Sequence, residues 1–140
     1  MVGEQLSVTS GNPLSTSQKD VQPRGHSIEV RLNAENPDFQ FMPSPGTLEV
    51  LMFPAVPFVR VDSGFQQGDV VPPHYDSLLA KVVVWGRDRP EAISRMLRAL
   101  AELKVSGIFT TANFLMKVLQ SPEFVIGDYD TLFLESWIAD

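Results

Sequence analysis

GHSIEVRLNAENP, at residues 25–37, alternates apolar and polar side chains with a clean period of two. This period predicts a β-strand with one buried face. The apolar positions are Ile28, Val30, Leu32 and Ala34. The polar positions are Ser27, Glu29, Arg31, Asn33 and Glu35. The strand therefore carries Arg31 on a face that points outward or into a cleft, and we expect the folded core to begin near Gly25.

Further β-compatible segments follow, separated by Pro and Gly residues. They span residues 47–53, 58–61, 69–71 and 78–85. Short segments of this kind predict a small antiparallel sheet or half-barrel. Upstream of the first strand, residues 2–10 predict a short helix that ends at Gly11, and residues 12–25 predict an extended connection.

The second half of the chain changes to helical spacing. Asp88 is a good N-cap, Pro90 falls in the first turn and Glu91 completes a capping box, so we expect a helix over about residues 89–103. Its apolar residues form one stripe that would pack on the sheet: Ile93, Met96, Leu97, Leu100 and Leu103. The fold class is therefore α+β, with strands first and packed helices second.

Two shorter segments complete the helical half. Residues 111–119 predict a second helix, and residues 131–138 predict a third short helical or irregular segment. The second helix should turn four apolar residues inward: Phe114, Leu115, Val118 and Leu119.

The composition excludes several classes of function. With 140 residues, 44% of them hydrophobic, the chain fits one globular domain. A net charge of −6 argues against a nucleic-acid or anionic-membrane surface. The absence of cysteine excludes disulfides, thiolate metal sites and cysteine nucleophiles, and fits a reducing compartment. His26 and His74 lack the spacing of a metal pair, so we expect no metal to be held by this chain alone.

The start of the sequence shows neither the basic stretch nor the apolar core of a secretory signal. The apolar runs are far shorter than the ~20 residues that span a bilayer. We therefore expect a soluble protein.

The residues alone offer little catalytic chemistry. The sequence has no glycine-rich phosphate loop and no nucleophile elbow. Its aspartates near turns and strand ends are ordinary turn or cap residues: Asp62, Asp69, Asp76 and Asp88. Taken alone, Arg31 would be a strand arginine that pairs with Glu29 or Glu35 on a solvated face, with a contribution of at most about 1 kcal/mol.

Several blocks that follow residues 25–37 are more specific together than any one motif. They are PSPG at 43–46, VRVDS at 59–63, VPPHYDSLLAK at 71–81, GI at 107–108 and FLE at 133–135. In this order and spacing, over about residues 11–135, the chain resembles the C-terminal domain of biotin carboxylases. These are the ATP-dependent components of the biotin-dependent acyl-CoA and pyruvate carboxylases.

The resemblance implies a domain division and a fold. Residues 25–140 would form the biotin carboxylase C-terminal domain, an α+β unit like a rudimentary single hybrid motif. Residues 1–24 would be the tail of the preceding ATP-grasp domain and a linker. The phosphate loop, the metal-binding glutamates and the catalytic base would lie in that ATP-grasp domain, so the chain alone should be inactive and bind no cofactor.

The resemblance also assigns roles to individual residues. Arg31 would be catalytic: it would reach the bicarbonate and the ureido ring of biotin, and stabilise the negative charge that accumulates on the ureido oxygen. Tyr75 and Asp76, in the PPHYDS block, would be structural and hold the strand that follows. The segment around Thr131 would approach the adenine of ATP.

Arg60 matches an arginine near the homodimer contact of the free-standing bacterial subunit, so an interface role is implied beside a simple local pair with Asp62. Pro57 and Phe58 replace the glycine-rich lead-in that is common in the family, which makes the geometry of this interface an open question.

In the intact enzyme the implied ligands are ATP, Mg2+, bicarbonate and biotin. The implied partners are the ATP-grasp region, a biotin carboxyl carrier domain, a carboxyltransferase component and a second copy in a homodimer. The implied location is cytoplasmic, or the mitochondrial matrix in a eukaryote, and fatty acid biosynthesis is one setting. Two alternatives stay open: a non-catalytic interaction or dimerisation module, and the C-terminal domain of another ATP-grasp ligase.

Overall fold

The structure is a computed structural model that describes residues 2–138. The helices are α1 (Val2–Thr9), α2 (Arg89–Glu102), α3 (Ala112–Gln120), α4 (Pro122–Ile126) and α5 (Phe133–Ile138). The strands are β1 (His26–Asn33), β2 (Glu35–Asn36), β3 (Met42–Pro43), β4 (Gly46–Thr47), β5 (Val50–Met52), β6 (Val59–Ser63), β7 (Val70–Val71), β8 (Leu78–Gly86) and β9 (Lys104–Ser106). The predicted α+β class is confirmed.

The main sheet has three antiparallel strands in the order β1-β8-β6. The central strand β8 places Lys81 beside Arg31 of β1 and Asp62 of β6. Three smaller antiparallel pairs, β2-β3, β4-β7 and β5-β9, form separate two-stranded sheets. Within the described part of the chain, these strands do not close into a barrel.

The alternation predicted for the first strand is confirmed. All four of its apolar positions are buried, and they belong to two clusters. The first cluster joins the sheet to α2 and α3: Ile28, Val30, Val82, Val84, Ala92, Ile93, Met96, Ala99, Leu100 and Leu119. The second lies under the small strand pairs: Leu32, Ala34, Leu48, Leu51, Val71, Leu79 and Ala80. Because one face of β1 is buried in this way, its polar face must lie on the opposite side of the sheet.

The start of α2 differs from the prediction in one detail. Asp88 caps the helix, since its side chain accepts a hydrogen bond of 2.9 Å from the backbone N–H of Glu91. The reciprocal bond of a capping box is not formed, because the Glu91 carboxylate accepts from the backbone N–H of Arg87 at 2.6 Å. This bond is the largest cause that lowers the pKa of Glu91. The helix carries its buried stripe and ends at Glu102, one residue before the predicted end.

The shortest elements were not predicted from the sequence. They are β2, β3, β9 and α4, while β4 and β5 replace a single predicted strand over residues 47–53. Elements of two to five residues show no periodicity, and their pairing is set by contacts distant in the sequence. Helix α4 nevertheless carries local signals: the Ser121 side chain accepts from the N–H of Phe124 at 3.4 Å, and Gly127 ends the helix with a left-handed φ of 84°.

The chain enters β1 through a position that only glycine can occupy. Gly25 has a φ of 74°, and a Cβ atom there would lie 2.4 Å from the carbonyl oxygen of Gly86 and 2.6 Å from the ring of Trp85. The same ring donates a hydrogen bond of 2.9 Å from its Nε1 to the carbonyl oxygen of Arg24. The connection is therefore held against the end of β8, where the folded core begins.

Gly25→Ala should lower the free energy of unfolding by on the order of 3 kcal/mol, because a left-handed backbone and an overpacked contact both add cost. Gly68→Ala is the matched control, since Gly68 has a φ of 93° but open space around its Cβ position. The control should lose only about 1 kcal/mol. Urea unfolding followed by circular dichroism checks both, and equal losses would contradict the close approach at Gly25.

Candidate functional site

The face of the main sheet that α2 leaves uncovered carries the charged side chains. β1 contributes Glu29 and Arg31, β6 contributes Arg60 and Asp62, and β8 contributes Lys81. These residues are exposed or only partly buried. Cross-strand register brings them together, since Lys81 of the central strand stands between Arg31 and Asp62.

Arg31 forms its ion pair with Asp76 and not with Glu29 or Glu35, the two neighbouring carboxylates in the sequence. One guanidinium nitrogen lies 3.4 Å from a carboxylate oxygen of Asp76, and the Arg31 side chain is 51% exposed. Glu29 lies 3.8 Å from Lys81 instead, and Glu35 accepts hydrogen bonds from Asn33 and Ser77. The interpretation of Arg31 as a local pair with Glu29 or Glu35 is therefore wrong. A single long contact leaves most of the guanidinium donors turned to solvent.

Asp76 is fixed by the turn that leads into β8. Its second carboxylate oxygen accepts a hydrogen bond of 3.0 Å from the backbone N–H of Leu78. The next residue, Ser77, is bonded to the two residues that follow β1. Its side chain donates to Glu35, and its carbonyl oxygen accepts from the backbone N–H of Ala34 at 2.7 Å. These bonds hold the loop beside β1 and place the carboxylate within reach of Arg31.

Tyr75, which precedes this carboxylate, is 84% exposed. A side chain with so little contact contributes little packing to the strand that follows. Tyr75 and Asp76 therefore differ in their environment. Asp76 makes contacts within the chain, while Tyr75 points into solvent.

Arg60 lies near one end of β6. Its side chain is 75% exposed and pairs with Asp62 at 2.8 Å. The hydrogen bond that Arg60 donates from Nε to Asp62, and then the charge of that carboxylate, raise the pKa of Arg60 above the ordinary value. Phe58, two residues before Arg60, has a left-handed φ of 63°. The backbone here thus adopts a conformation that favours glycine, even though a phenylalanine occupies the position.

Thr131 lies apart from the charged face, in an exposed turn before α5. Asp130 shapes the turn by accepting a hydrogen bond of 2.8 Å from the N–H of Leu132. No hydrogen bond links Thr131 to Arg31 among the described residues. The structure therefore brings Arg31 and Asp76 into contact, places Arg60 on the same sheet face in a pair with Asp62, and leaves Thr131 on a separate part of the surface.

Lys81 is a member of this charged face that the sequence did not single out. It is the one charged residue in β8, whose sequence is LLAKVVVWG, and it stands directly across from Arg31. A single lysine within an apolar strand was the available signal. Lys81 lies 3.8 Å from Glu29 and Arg31 lies 3.4 Å from Asp76, so each cation has one carboxylate partner. Both side chains stay partly exposed, which leaves N–H donors available to a ligand.

Between residues 2 and 138, no three His, Asp or Glu side chains are grouped so that they could hold a metal ion. None of the helices in that range has the length and apolar character needed to cross a membrane.

Comparisons with known proteins agree on one family. The family model described as "Biotin carboxylase C-terminal domain" matches residues 29–136. Biotin carboxylase 1 of Bacillus subtilis is 47% identical over 137 residues, which are 98% of this chain and 30% of that protein.

Solved structures show the same fold. One is the biotin carboxylase domain dimer of the 2-oxoglutarate carboxylase of Hydrogenobacter thermophilus, in complex with MgADP, ADP and bicarbonate. It has a TM-score of 0.89 and 36% identity, and the match covers 97% of this chain and 30% of that one. The complete multifunctional pyruvate carboxylase of Rhizobium etli has a TM-score of 0.92 and 31% identity, over 96% of this chain and 14% of that one. The chain thus spans less than a third of the length of each of these relatives.

Arg31→Ala should change the free energy of unfolding by less than about 1 kcal/mol, because an exposed ion pair at 3.4 Å contributes little to stability. Leu32→Ala is the matched control on the same strand, and the loss of its fully buried side chain should cost roughly 2–5 kcal/mol. Urea unfolding of both variants measures the difference. A loss for Arg31→Ala as large as that of the control would make Arg31 a structural residue.

Proposed function

The chain belongs to the biotin carboxylase C-terminal domain family, and from this premise we propose that it completes the active site of a biotin carboxylase. The intact enzyme would be an ATP-dependent ligase that forms a C–N bond by carboxylating carrier-bound biotin with bicarbonate. The observation that carries the proposal is the guanidinium of Arg31, held on one side by Asp76 and otherwise open to solvent.

The chemistry of Arg31 fits this reaction. A ureido nitrogen becomes a nucleophile when it gives its proton to a base, which would lie in the ATP-grasp region, and negative charge then accumulates on the ureido oxygen. A guanidinium is always protonated and presents several N–H donors in one plane, so it can stabilise that oxygen as the charge develops. Asp76 would contribute by aiming the guanidinium, because the carboxylate is fixed by the turn before β8.

The remaining ligands would be held outside this chain. ATP, with Mg2+, supplies the energy that activates bicarbonate. The ATP-grasp region would bind these groups, so the chain alone would be inactive and would hold none of them. Within this chain, the turn at Thr131 would line the adenine side of the nucleotide; its neighbours Tyr129 and Phe133 have ring centroids 5.7 Å apart and offer flat apolar faces nearby.

The proposed partners follow from the same reaction. A biotin carboxyl carrier domain would deliver biotin to Arg31, and a carboxyltransferase component would pass the carboxyl group to an acceptor. The acceptor could be acetyl-CoA in fatty acid biosynthesis, another acyl-CoA or a keto acid such as pyruvate. The enzyme would work in the cytoplasm, or in the mitochondrial matrix of a eukaryote, as a homodimer with Arg60 at the contact.

The first test measures biotin-dependent ATP hydrolysis in a chimera, in which this chain replaces the matching part of the Bacillus subtilis relative. Arg31→Ala should lower kcat by about 10²–10³-fold with the KM for ATP little changed, since a donor to the developing charge is lost. Arg31→Lys should recover only part of the rate. Arg98→Ala, an exposed arginine on α2, is the control and should keep full activity.

Unchanged turnover in Arg31→Ala would contradict the catalytic assignment. Arg31 would then be a surface ion pair, and the interaction-module alternative would be favoured. Its docking surface would draw on exposed aromatic side chains such as Phe39 and Phe109, which are 66% and 62% exposed.

The interface role of Arg60 has its own test in the same chimera. Arg60→Glu reverses a charge on a side chain that is 75% exposed, so it should shift the dimer toward monomer if Arg60 faces a second copy. Sedimentation velocity measures the change, and Arg87→Glu, at a side chain that is 81% exposed, is the charge-matched control. A dimer that is equally stable in both variants would remove Arg60 from the contact.

A further inference from the structure

The C-terminal segment, residues 122–135, has little hydrophobic anchorage of its own. Helix α4 contributes no buried residue, and Ile126 and Leu132 are 72% and 60% exposed. Phe124 alone among the apolar residues of α4 packs on the first core cluster. A segment with so few buried contacts belongs to the least stable part of a fold unless polar contacts fix it.

Arg89, in the first turn of α2, supplies such contacts. Its guanidinium donates to the carbonyl oxygen of Phe124 from Nε at 3.2 Å and also from a terminal nitrogen. The same terminal nitrogen lies 3.4 Å from the hydroxyl of Tyr129. The carbon of the guanidinium lies 4.7 Å from the ring centroid of Phe124 and 5.6 Å from that of Tyr129.

The two aromatic rings continue the contact along the segment. Phe124 and Tyr129 stack with their centroids 5.1 Å apart and an interplanar angle of 14°. Gly127, between them, allows the chain to reverse, and a Cβ there would lie 3.7 Å from Nε of Arg89. Arg89 thus contacts the chain on both sides of Gly127, at Phe124 and at Tyr129, and the chain continues from there into the turn at Thr131.

The other side of Arg89 reaches the strand that carries Arg31. Its remaining terminal nitrogen lies 3.1 Å from Nε2 of His26, the first residue of β1. A guanidinium only donates, so the imidazole accepts at Nε2 and carries its proton on Nδ1. Among the described side chains, no carboxylate lies within ion-pair distance of Arg89. The cation is satisfied by a carbonyl, an imidazole and aromatic faces.

We propose that Arg89 is a positioning residue that fixes residues 122–135, with Thr131, relative to the strand that carries Arg31. One side chain joins the start of β1, the start of α2 and the reversal after α4. The link to catalysis rests on the proposed function, in which Arg31 faces biotin and Thr131 faces the nucleotide. In that setting Arg89 would fix the positions of Arg31 and Thr131, the two ligand-facing parts of the domain, relative to each other.

The decisive test is hydrogen–deuterium exchange of the 140-residue chain, resolved by NMR or mass spectrometry. Arg89→Met should raise the exchange rates of amides in residues 123–135 by at least about tenfold and leave those of β8 unchanged. Arg89→Lys keeps the charge over the rings but loses the planar fork, so its effect should be intermediate. Arg98→Met, on an exposed arginine of the same helix, should change neither region.

Unchanged exchange in residues 123–135 of Arg89→Met would overturn the proposal, because the packing of Phe124 would then suffice. An equal increase in β8 would also overturn it, since the effect would be global destabilisation. If amide exchange rises in residues 123–135 and not in β8, the result supports the positioning role.

A second arm in the active chimera separates this inference from the proposed function. Arg89→Met should there raise the KM for ATP more than it lowers kcat, and Arg89→Lys should restore part of the affinity. Amide exchange in residues 123–135 could rise in Arg89→Met while the KM for ATP stays unchanged. Arg89 would then still position the segment, and the assignment of Thr131 to the adenine would be wrong.

Discussion

The burial of one face of β1 beneath α2 is the constraint on which the rest of the structure depends. Ile28 and Val30 pack against the helix, and Leu32 continues the buried row into the second cluster. Because successive side chains of a strand point to opposite faces, this burial places Arg31 on the open side. A slip of the strand by one residue would bury the arginine and expose the apolar row, so the core itself sets the position of the candidate catalytic group.

The contact between Arg31 and Asp76 is better explained by orientation than by stability. Both side chains are more than half exposed, and water screens such a pair, so its contribution to folding is small. The turn that fixes Asp76 is, by contrast, well hydrogen-bonded through Leu78 and Ser77. An ordered carboxylate that holds an otherwise open guanidinium is an arrangement in which donors remain available for a ligand. This supports the proposed role of Arg31 in the larger enzyme.

The sequence predicted those parts of the fold whose signals are local and periodic. The alternation over residues 25–37 predicted the first strand and its buried face, and the Asp88 cap with its apolar stripe predicted α2 to within a residue of its end. The two-residue pairs such as β2-β3 could not be predicted, because two residues carry no period. The partner of Arg31 was missed for a related reason. Asp76 is 45 residues away, and only the register of β8 against β1 brings them together.

The central claim is that Asp76 acts by aiming Arg31 at the charge that develops on biotin. A double-mutant cycle on biotin-dependent ATP hydrolysis in the active chimera tests it most directly, with Arg31→Ala, Asp76→Asn and the double variant compared. If Asp76 works through Arg31, the double variant should be no slower than Arg31→Ala alone. Losses that multiply, so that Asp76→Asn slows the enzyme equally with and without Arg31, would contradict the account.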